Sequence, residues 1–397
     1  MPKKTVYDLP TVHGQRVLVR VDFNVPLTPT GAIANDRRIR KTLPTIQYLV
    51  EKGACSIVMS HLGRPTGDPQ ADAIYRMDRV AHRLEELLGR PVRKADEVVG
   101  PAVERAVAAL APGDVLVLEN LRFHPGEKAG DAAFARSLAN LGTIYVNDAF
   151  GTCHNTDASM VAVPRAMQDR PRVAGLLLAR ELEVLTHLLE NPQRPLVGIV
   201  GGAKVSDKIA FLRSLLGRVD RLLVGGAMTY TFMKAQGRSI GSSRCENERL
   251  DLARELLAQA GDRLLLPEDH VVADRPSADA HTRVVAGEIP EGWYGMDIGP
   301  QTRERYAAWI RRAGTVVWNG PMGKFEDAPF AQGTRAVAHA LADSQAVTIV
   351  GGGETAEAVE SFGLDSRIAH VSTGGGAFLE FLSGSRLPGL EYLEERT

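Results

Sequence analysis

Short apolar runs alternate with amphipathic segments along the chain, and this alternation limits the possible folds more than any other feature. Many runs lack alternating polar residues, as is typical of strands buried on both faces of a parallel sheet. The intervening segments have helical periodicity, and residues 248–261 end on a glycine suited to a helix C-cap, Gly261. Repeated strand, turn and helix predict an α/β protein with parallel sheets. The runs lie at 16–26, 55–64, 114–123, 143–151, 195–204, 221–228, 263–274, 315–323, 346–354 and 368–376.

The chain is too long for one ordinary hydrophobic core. At 397 residues, the usual size of a domain suggests two domains. A long helical pattern, GLLLARELEVLTHLLE at 175–190, is broken by NPQRP and makes a plausible rigid connection. We therefore expect two doubly wound, Rossmann-like domains joined by a helix, with a cleft between them. The predicted segments are an N-terminal domain at 1–174, the helix and hinge at 175–191, a C-terminal domain at 192–381 and a tail at 382–397.

Composition narrows the class of protein. The net charge is −1, so no global basic field favours nucleic acid or an anionic membrane as a partner. The three cysteines are far apart and lack CxxC spacing, which argues against a disulfide framework and a thiolate metal site. No signal-like apolar core begins the sequence, and no run approaches the roughly 18 apolar residues of a membrane span. We expect a cytoplasmic protein.

Glycine-rich turns follow the apolar runs in the second half. They are GGAK (201–204), GGAM (225–228), GGGET (351–355) and STGGGA (372–377). Glycine lets the backbone approach an anion closely, and a helix starting there presents free N–H groups. Tight packing of helix on sheet explains one glycine pair, but four such turns predict a phosphate or nucleotide site.

The usual nucleotide fingerprints are absent. The sequence contains no P-loop, no G-x-G-x-x-G and no protein-kinase signature. Instead, Lys204 and Lys208 lie four apart at a predicted helix start, which suits a polyphosphate, although two solvated lysines would look the same. Glu354 could hold Mg²⁺ against phosphates or be an ordinary first-turn acid. Glu326 could contact a ribose or be a surface acid.

Cationic and polar residues follow the strands of the first half. Guanidinium groups bind carboxylate and phosphate with two hydrogen bonds, so such a cluster suits a small molecule that carries both groups. Solvated surface arginines remain the alternative. A nucleotide site and an anion site in different domains imply transfer across a cleft that closes to exclude water. The residues are Asp22, Asn24, Arg38, His61, Arg64, Arg122, His124 and His154.

Together these motifs resemble the phosphoglycerate kinase family. RVDFNVP, SHLGRP, LENLRFHPGE, VNDAFGT, GGAKVSDK, VGGAM, VVWNGPMGKFE, VGGGET and HVSTGGGA occur in the family's order over about residues 16–389. The resemblance implies an N-domain for 3-phosphoglycerate or 1,3-bisphosphoglycerate and a C-domain for Mg-ADP or Mg-ATP. It also implies hinge closure, a tail that returns to the N-domain, and reversible phosphoryl transfer in glycolysis and gluconeogenesis. We expect a monomer.

The family's functional residues transfer position by position. The resemblance implies catalytic roles for Arg38, Lys204 and Gly375, the last within the Gly374–Gly376 turn. The implied substrate-binding positions are Asp22, Phe23, Asn24, Arg38, His61, Leu62, Gly63, Arg64, Arg122 and Asn155. The implied nucleotide positions are Lys204, Lys208, Gly225, Gly226, Gly295, Glu326, Gly352, Gly353, Glu354 and Thr355, with Glu354 also as the Mg²⁺ ligand.

Three positions depart from the family pattern. Where H-R-A-H usually follows DAFGT-x, this chain has His154, Asn155, Thr156 and Asp157. An arginine and a histidine are therefore replaced by Asn155 and Asp157, which predicts weaker 3-phosphoglycerate binding or compensation by Arg165 or Arg170. Glu354 stands where aspartate is common, and we expect altered metal geometry.

Two other classes of protein fit parts of the pattern. A nicotinamide-dependent dehydrogenase also has two α/β domains, but it should show G-x-G-x-x-G. A catalytically weakened relative kept for binding is suggested by Asn155 and Asp157, although the lysine, glycine and metal motifs are intact.

Overall fold

The computed structural model describes residues 2–396 and divides the chain into two compact units. Unit 1 contains the residues up to Glu183 together with those from Arg386 onward, and unit 2 is Val184–Ser385. The division falls within one helix, Leu176–Glu190.

Unit 1 is built on a parallel sheet, which has six strands in the described part of the chain. The strand order is β3-β4-β2-β1-β5-β6, and β1 pairs with β2 and β5 on its two sides. This central strand is almost wholly buried, so its apolar residues face helices on both sides. The strands are β1 Arg16–Val21, β2 Cys55–Met59, β3 Arg93–Lys94, β4 Val115–Val117, β5 Ile144–Asp148 and β6 Arg172–Ala174.

Helices cover the faces of this sheet. Helix α1 is amphipathic, and its buried residues Ile39, Ile46 and Leu49 belong to the core that contains Val19 and Val58 of the strands. The helices are α1 Arg37–Glu51, α2 Asp78–Leu88, α3 Pro101–Ala108, α4 Pro125–Ala129, α5 Ala132–Ala139, α6 Ala162–Ala166 and α7 Leu176–Glu190.

Unit 2 contains a second parallel sheet, ordered β15-β14-β13-β7-β8-β9 over the described residues. Its core includes Trp318 and Val350 from the strands and Tyr306 from a covering helix. The predicted α/β class is therefore confirmed, with two parallel sheets of six strands each. The sheet's strands are β7 Leu196–Val200, β8 Arg221–Val224, β9 Leu264–Leu265, β13 Thr315–Asn319, β14 Val347–Gly351 and β15 His370–Val371.

A small antiparallel sheet interrupts this pattern, and the sequence did not predict it. The apolar run at 263–274 is split by Pro267, which has no N–H for a ladder hydrogen bond. Only β9 stays in the parallel sheet, while β10 pairs antiparallel with β11 and β12. The three strands are β10 Asp269–Ala273, β11 Thr282–Ala286 and β12 Tyr294–Ile298.

The helices of unit 2 follow its strands as the alternation predicts. Helix α10 ends at Gly261, whose φ of +57° places it in the region that glycine tolerates. The helices are α8 Ile209–Leu216, α9 Met228–Ala235, α10 Leu250–Ala260, α11 Pro300–Arg312, α12 Gln332–Ala342, α13 Gly353–Ser361 and α14 Gly376–Leu382.

The C-terminal residues pack within unit 1. Lys4 N–H donates to the carbonyl of Glu394 at 2.9 Å, and Glu394 N–H donates to the carbonyl of Arg172 at 2.9 Å. The buried amide of Asn147 donates to the carbonyl of Gly389 at 3.0 Å. The two ends of the chain thus pack together in unit 1. None of the helices within residues 2–396 has the length and apolar character needed to span a membrane.

Candidate functional site

The carboxyl ends of the unit 1 strands bring the predicted polar residues to one edge of the sheet. Asp22 follows β1, His61 follows β2 and Arg122 follows β4. Asp22 is buried, and its Oδ2 lies 2.5 Å from Nη1 of Arg38, which comes from the first turn of α1. Burial pushes the pKa of Asp22 upward, but Arg38, His61 and Arg20 outweigh it and hold the pKa below its ordinary value. Asp22 therefore stays ionised and orients the Arg38 guanidinium.

Arg20 is a fully buried cation that the sequence analysis did not select. Its Nε donates to Oγ of Ser159 at 2.8 Å, and its Nη2 lies 3.3 Å from Nδ1 of His61. Ser159 in turn donates to the buried carboxylate of Glu127 at 2.5 Å. Ser159 thus connects the buried Arg20 cation to a carboxylate, as a buried charge requires hydrogen-bonding partners. An arginine inside an otherwise apolar strand was the available signal.

A tight loop after β2 links three predicted residues. Gly63 N–H donates to Oδ1 of Asn24 at 2.8 Å, and the Gly63 carbonyl accepts from Nη1 of Arg122 at 2.7 Å. Gly63 has a φ of +62°, and a Cβ there would come within 2.2 Å of the Tyr75 ring, so only glycine fits. The exposed Arg64 follows and makes no hydrogen bond or ion pair with residues 2–396.

Arg122 keeps one unsatisfied donor. Its Nε is buried without a hydrogen-bond partner within the described chain, and burial lowers the pKa of its guanidinium. A buried N–H without a partner costs free energy, so this donor is ready for an acceptor on a ligand. A cavity of about 490 Å³ lies beside Arg122 and Phe123.

Phe23 and Leu62 point into the core rather than toward a site. Both side chains are buried in the main apolar cluster of unit 1. The backbone N–H of Phe23 donates to Ser60 Oγ at 2.9 Å, and that of Leu62 donates to Asn120 Oδ1 at 3.1 Å. Their side chains can position the loop but present nothing polar to a ligand. Burial, reinforced by Arg20, lowers the pKa of the neighbouring His61 to about 3, so its ring is neutral.

The stretch that departs from the family pattern has its own ion pair. Asp157 is buried, and its Oδ1 accepts from Lys128 Nζ at 2.8 Å. Oδ2 of the same carboxylate lies 3.4 Å from the amide nitrogen of Asn155. Lys128 therefore balances the charge that Asp157 introduces. The sequence did not predict this ion pair. Nδ1 of His154 is buried and has no partner within residues 2–396.

His124 has a structural role instead of the cationic role suggested by its place after a strand. Its ring stacks on Phe134 with centroids 4.0 Å apart, and its Nδ1 accepts from Gly126 N–H at 3.1 Å. It thus caps the start of α4.

The unit 2 site is formed mainly by backbone. Gly226, after β8, has a φ of +65°, and a Cβ there would lie 2.4 Å from the backbone nitrogen of Gly202. Gly226 N–H donates to the Met322 carbonyl at 2.8 Å, and Gly202 N–H donates to the Pro321 carbonyl at 3.0 Å. Three strand-end turns are therefore in direct contact, and glycine is required at their junction. Gly225 is equally confined, because a Cβ added there would collide with Met322.

The two predicted lysines have different surroundings. Lys208 is half-buried and donates to the Gly201 carbonyl at 2.6 Å and more weakly to that of Asn319 at 3.3 Å. Burial lowers the pKa of Lys208 to about 8, against an opposing effect of Glu354. Lys204 is exposed, and its ammonium group has no hydrogen-bond or ion-pair partner among residues 2–396. It is free to follow an anion.

The GGGET turn leads into the N-terminus of α13. Asn319, which the sequence analysis did not select, donates from its amide to the Gly351 carbonyl at 2.8 Å. The hydroxyl of Thr355 accepts from Gly320 N–H at 2.7 Å, so it ties this helix to the turn after β13. Gly353 and Glu354 are exposed in the first turn, where free N–H groups and the helix dipole favour an anion.

The last glycine turn lies beside this one. Gly352 N–H approaches the Gly374 carbonyl at 3.3 Å, and Gly374 N–H donates to Ser372 Oγ at 3.1 Å. Gly375 precedes α14, and a Cβ there would meet no atom within 4 Å. Open space therefore adjoins the Gly375 backbone.

Several of the predicted nucleotide residues line a cavity of about 590 Å³. Gly226, Gly295, Glu326 and Glu354 line it, whereas Lys204, Lys208, Gly225, Gly352, Gly353 and Thr355 do not. Gly295 forms one wall, where a Cβ would collide with the Tyr230 ring at 2.2 Å. The cavity has the size of an ordinary small-molecule site.

Metal binding by protein side chains alone has no support within residues 2–396. No group of three or more His, Cys, Asp or Glu side chains there is arranged to hold a metal ion. Mg²⁺, however, commonly uses one or two carboxylates together with substrate phosphates and water. The single exposed carboxylate of Glu354 beside an anion-binding turn fits that donor set.

Comparisons with known proteins agree with this geometry. The sequence model of the family described as "Phosphoglycerate kinase" matches residues 6–385. The chain is 53% identical to a phosphoglycerate kinase of Rubrobacter xylanophilus, covering 100% of this chain and 99% of the relative. It is 52% identical to that of Moorella thermoacetica, with 100% of both covered.

Solved structures are also similar. A phosphoglycerate kinase from Coxiella burnetii matches with a TM-score of 0.86 at 43% identity, covering 98% of each chain. One from Pyrococcus horikoshii matches with a TM-score of 0.87 at 30% identity, also covering 98% of each chain. Both the sequence match and the structural match extend over both units. The chain belongs to the phosphoglycerate kinase family.

Proposed function

We propose that this chain transfers a phosphoryl group reversibly from 1,3-bisphosphoglycerate to ADP, giving 3-phosphoglycerate and ATP. The observation that carries the proposal is the presence of two different anion sites in one chain of this family. Unit 1 offers the guanidinium groups of Arg38, held by Asp22, and of Arg122. Unit 2 offers a glycine-lined cavity of about 590 Å³, together with backbone N–H groups at glycine turns and two lysines.

In unit 1, we assign 3-phosphoglycerate to the edge where β1, β2 and β4 end. Arg38, Arg64 and Arg122 would bind its carboxylate and phosphate, since guanidinium groups match both. Asp22 orients Arg38, and the bond between Asn24 and Gly63 shapes the loop that carries Arg64. Phe23, Leu62 and the neutral His61 position this loop from the core side, and Asn155 would contact the substrate from the stretch after β5.

In unit 2, we assign the nucleotide to the glycine-lined cavity. Gly226 and Gly295 line the space for a flat base, Gly225 packs behind it against Met322, and Glu326 would accept hydrogen bonds from a ribose. Lys208, together with Gly352, Gly353 and Thr355 at the start of α13, lies at the phosphate end. Backbone N–H groups at a helix start bind phosphate without any side chain.

The reaction needs no general base. The attacking oxygen belongs to a carboxylate or phosphate that is already ionised at neutral pH. Catalysis therefore depends on alignment and on stabilising charge on the group in transfer. Arg38 and the exposed Lys204 would supply cations, and the backbone N–H groups near Gly375 would supply neutral donors.

We also propose that Glu354 holds Mg²⁺ together with nucleotide phosphates. When bound, the ion neutralises phosphate charge and orients the polyphosphate. The side chain of Glu354 is exposed in the first turn of α13, so it can approach such an ion without displacing another partner. The expected monomeric state, the cytoplasmic location and domain closure on the ligands stay predictions.

The decisive experiment is a coupled assay of ATP formation from ADP and 1,3-bisphosphoglycerate, with and without added Mg²⁺. We expect Mg²⁺-dependent turnover, and we expect acetyl phosphate, which lacks the phosphoglycerate body, to be a poor donor. Calorimetric titration with ADP alone should show binding independently of turnover. ADP binding without ATP formation would favour the weakened relative, and binding of NAD instead of ADP would favour the dehydrogenase.

A further inference from the structure

The segment between the two lysines of unit 2 is held by a carboxylate that no step described above uses. Oε2 of Glu246 accepts from Val205 N–H at 2.6 Å and from Ser206 N–H at 3.2 Å. Oε1 of the same carboxylate accepts from the Ser206 hydroxyl at 2.5 Å. All three donors lie in the short stretch between Lys204 and Lys208, so one side chain fastens the backbone that carries both ammonium groups.

The carboxylate of Glu246 is itself fixed and ionised. Its backbone N–H donates to the hydroxyl of Thr231 at 3.1 Å, and Thr231 is buried in α9. Burial raises the pKa of Glu246. Hydrogen bonds from Ser206 and Val205, with the positive charge of Lys204, outweigh this effect and hold the pKa below its ordinary value. A negative charge is also favourable here, because a helical turn that leads into α8 begins at these N–H groups.

The two lysines depend on this contact to different degrees. Lys208 has a second attachment, because its ammonium group donates to the carbonyls of Gly201 and Asn319. Lys204 is exposed, and its ammonium group has no such attachment within residues 2–396. Its position is therefore set by its backbone, which Glu246 holds at the next two residues. Loss of the Glu246 carboxylate should displace Lys204 more than Lys208.

We propose that Glu246 is a positioning residue for phosphoryl transfer, which holds the backbone beside Lys204 so that its ammonium group reaches the phosphoryl group in transfer. This inference rests on the proposed function, and in particular on the role assigned to Lys204. Displacing a group by about 1 Å can slow a reaction about 10²-fold, so a small shift of this backbone is enough to matter. Nucleotide affinity should be nearly independent of Glu246, because it depends on Lys208 and the glycine turns.

The experiment measures kcat in the coupled assay and the dissociation constant of ADP by calorimetry, both with the whole protein. Glu246→Ala should lower kcat about 10- to 100-fold and change the dissociation constant of ADP less than about threefold. Glu246→Gln keeps an oxygen that accepts from the same N–H groups, and its kcat should recover to within about fivefold of the unchanged protein.

A double-mutant cycle tests whether Glu246 acts through Lys204. In a protein that already carries Lys204→Ala, Glu246→Ala should lower kcat by less than about a further threefold, because the group that it positions is gone. Ser206→Ala removes one of the three donors and should lower kcat about two- to fivefold, which tests the same contact if Glu246→Ala does not fold. Glu248→Gln is the matched control, since this exposed carboxylate lies two residues away, and it should change neither quantity.

Three results would overturn the inference. A lower melting temperature with normal kcat in Glu246→Ala would mean that Glu246 only stabilises the helix start. A parallel fall of kcat and ADP affinity would mean that it shapes the nucleotide site as a whole. An undiminished effect of Glu246→Ala in the Lys204→Ala protein would mean that it acts without Lys204. Near-normal turnover of Lys204→Ala alone would instead refute the role proposed for Lys204, and the inference would fall with it.

Discussion

The anion sites that we propose in the two units would hold their ligands by different physical means. The unit 1 site would use long charged side chains from separate elements, with Arg38 held by the buried carboxylate of Asp22 and Arg122 by the Gly63 carbonyl. Unit 2 uses backbone N–H groups at glycine turns, where the contacts between Gly202, Gly226 and the Pro321 turn leave no room for a Cβ. The unit 1 site depends on the charged side chains that are present, whereas the unit 2 site depends on glycines, which have no side chain.

This difference determines what each site can tolerate. A side-chain site can gain or lose a charge and still fold, which fits the replacement of two expected cations by Asn155 and Asp157 and the balancing role of Lys128. A backbone site has no such freedom, because any larger residue displaces the chain itself. We therefore expect substitutions of solvent-facing side chains in unit 1 to change kinetics with little loss of stability, and substitutions in the glycine turns to change both.

The largest kinetic effect is expected at Arg38. Arg38→Ala should lower kcat by about 10²–10³, by analogy with removing one donor to the transition state. The melting temperature should also fall, because the buried carboxylate of Asp22 loses its ion-pair partner. Steady-state assays and thermal unfolding measure the two quantities. Arg40→Ala is the matched control, because Arg40 lies on the same helix and pairs with Asp36 at 2.9 Å. Near-normal turnover of Arg38→Ala would remove it from the mechanism.

Gly226→Ala tests whether a substitution in a glycine turn of unit 2 lowers both stability and binding. Gly226 has a φ of +65°, and a Cβ there would lie 2.4 Å from the Gly202 backbone nitrogen. The substitution should therefore destabilise the protein by about 1–3 kcal/mol and greatly weaken ADP binding. Denaturant unfolding and ADP titration provide the measurements.

Gly237→Ala is the control for backbone strain. Gly237 has a φ of +79°, but a Cβ there would meet nothing within 4 Å. This variant should lose about 1 kcal/mol from strain alone and keep its ADP affinity. If both variants bind ADP normally, close backbone contact does not define the site.

The pH dependence of the two substrates should differ. The pKa of Lys208 is lowered to about 8, so this lysine loses its positive charge as pH rises through 8. Phosphate binding favours the protonated form, and KM for ADP should therefore rise up to about tenfold between pH 7 and 9. Over the same range KM for 3-phosphoglycerate should stay nearly constant, because guanidinium groups do not titrate there and His61, with a pKa of about 3, is already neutral.

Lys208→Arg provides the check on this assignment, since its guanidinium stays protonated to pH 9. Its KM for ADP should be flat with pH, whatever its absolute value. A rise that persists in Lys208→Arg would assign the titration to another group.

The smallest effect is expected at Asn155. Asn155→Arg restores a cation beside the proposed substrate edge and should lower KM for 3-phosphoglycerate by up to about fivefold, the usual range for an exposed charge pair. kcat should not change. Thr156→Arg adds the same charge at the exposed neighbouring residue and should have less effect. An unchanged KM in Asn155→Arg would show that the position is idle.

The sequence alone determined the class of fold, and it predicted where both sites would lie. The apolar runs predicted the strands, the glycine turns marked one set of strand ends, and Asp22, His61 and Arg122 marked the other. These features are local: strand periodicity, turn residues and helix starts depend on neighbours within a few positions. Because parallel strands end at one edge of a sheet, strand-end residues could be assigned to a common site before the structure was known.

Only the tertiary structure decided how the residues are used. It turned Phe23 and Leu62 into the core, stacked His124 on Phe134, and moved the strand after Pro267 into an antiparallel sheet. It also buried Arg20 against Ser159, 139 positions away, and joined Lys128 to Asp157. Such pairings depend on which surfaces meet when sheet and helices pack, and no short stretch of sequence contains that information.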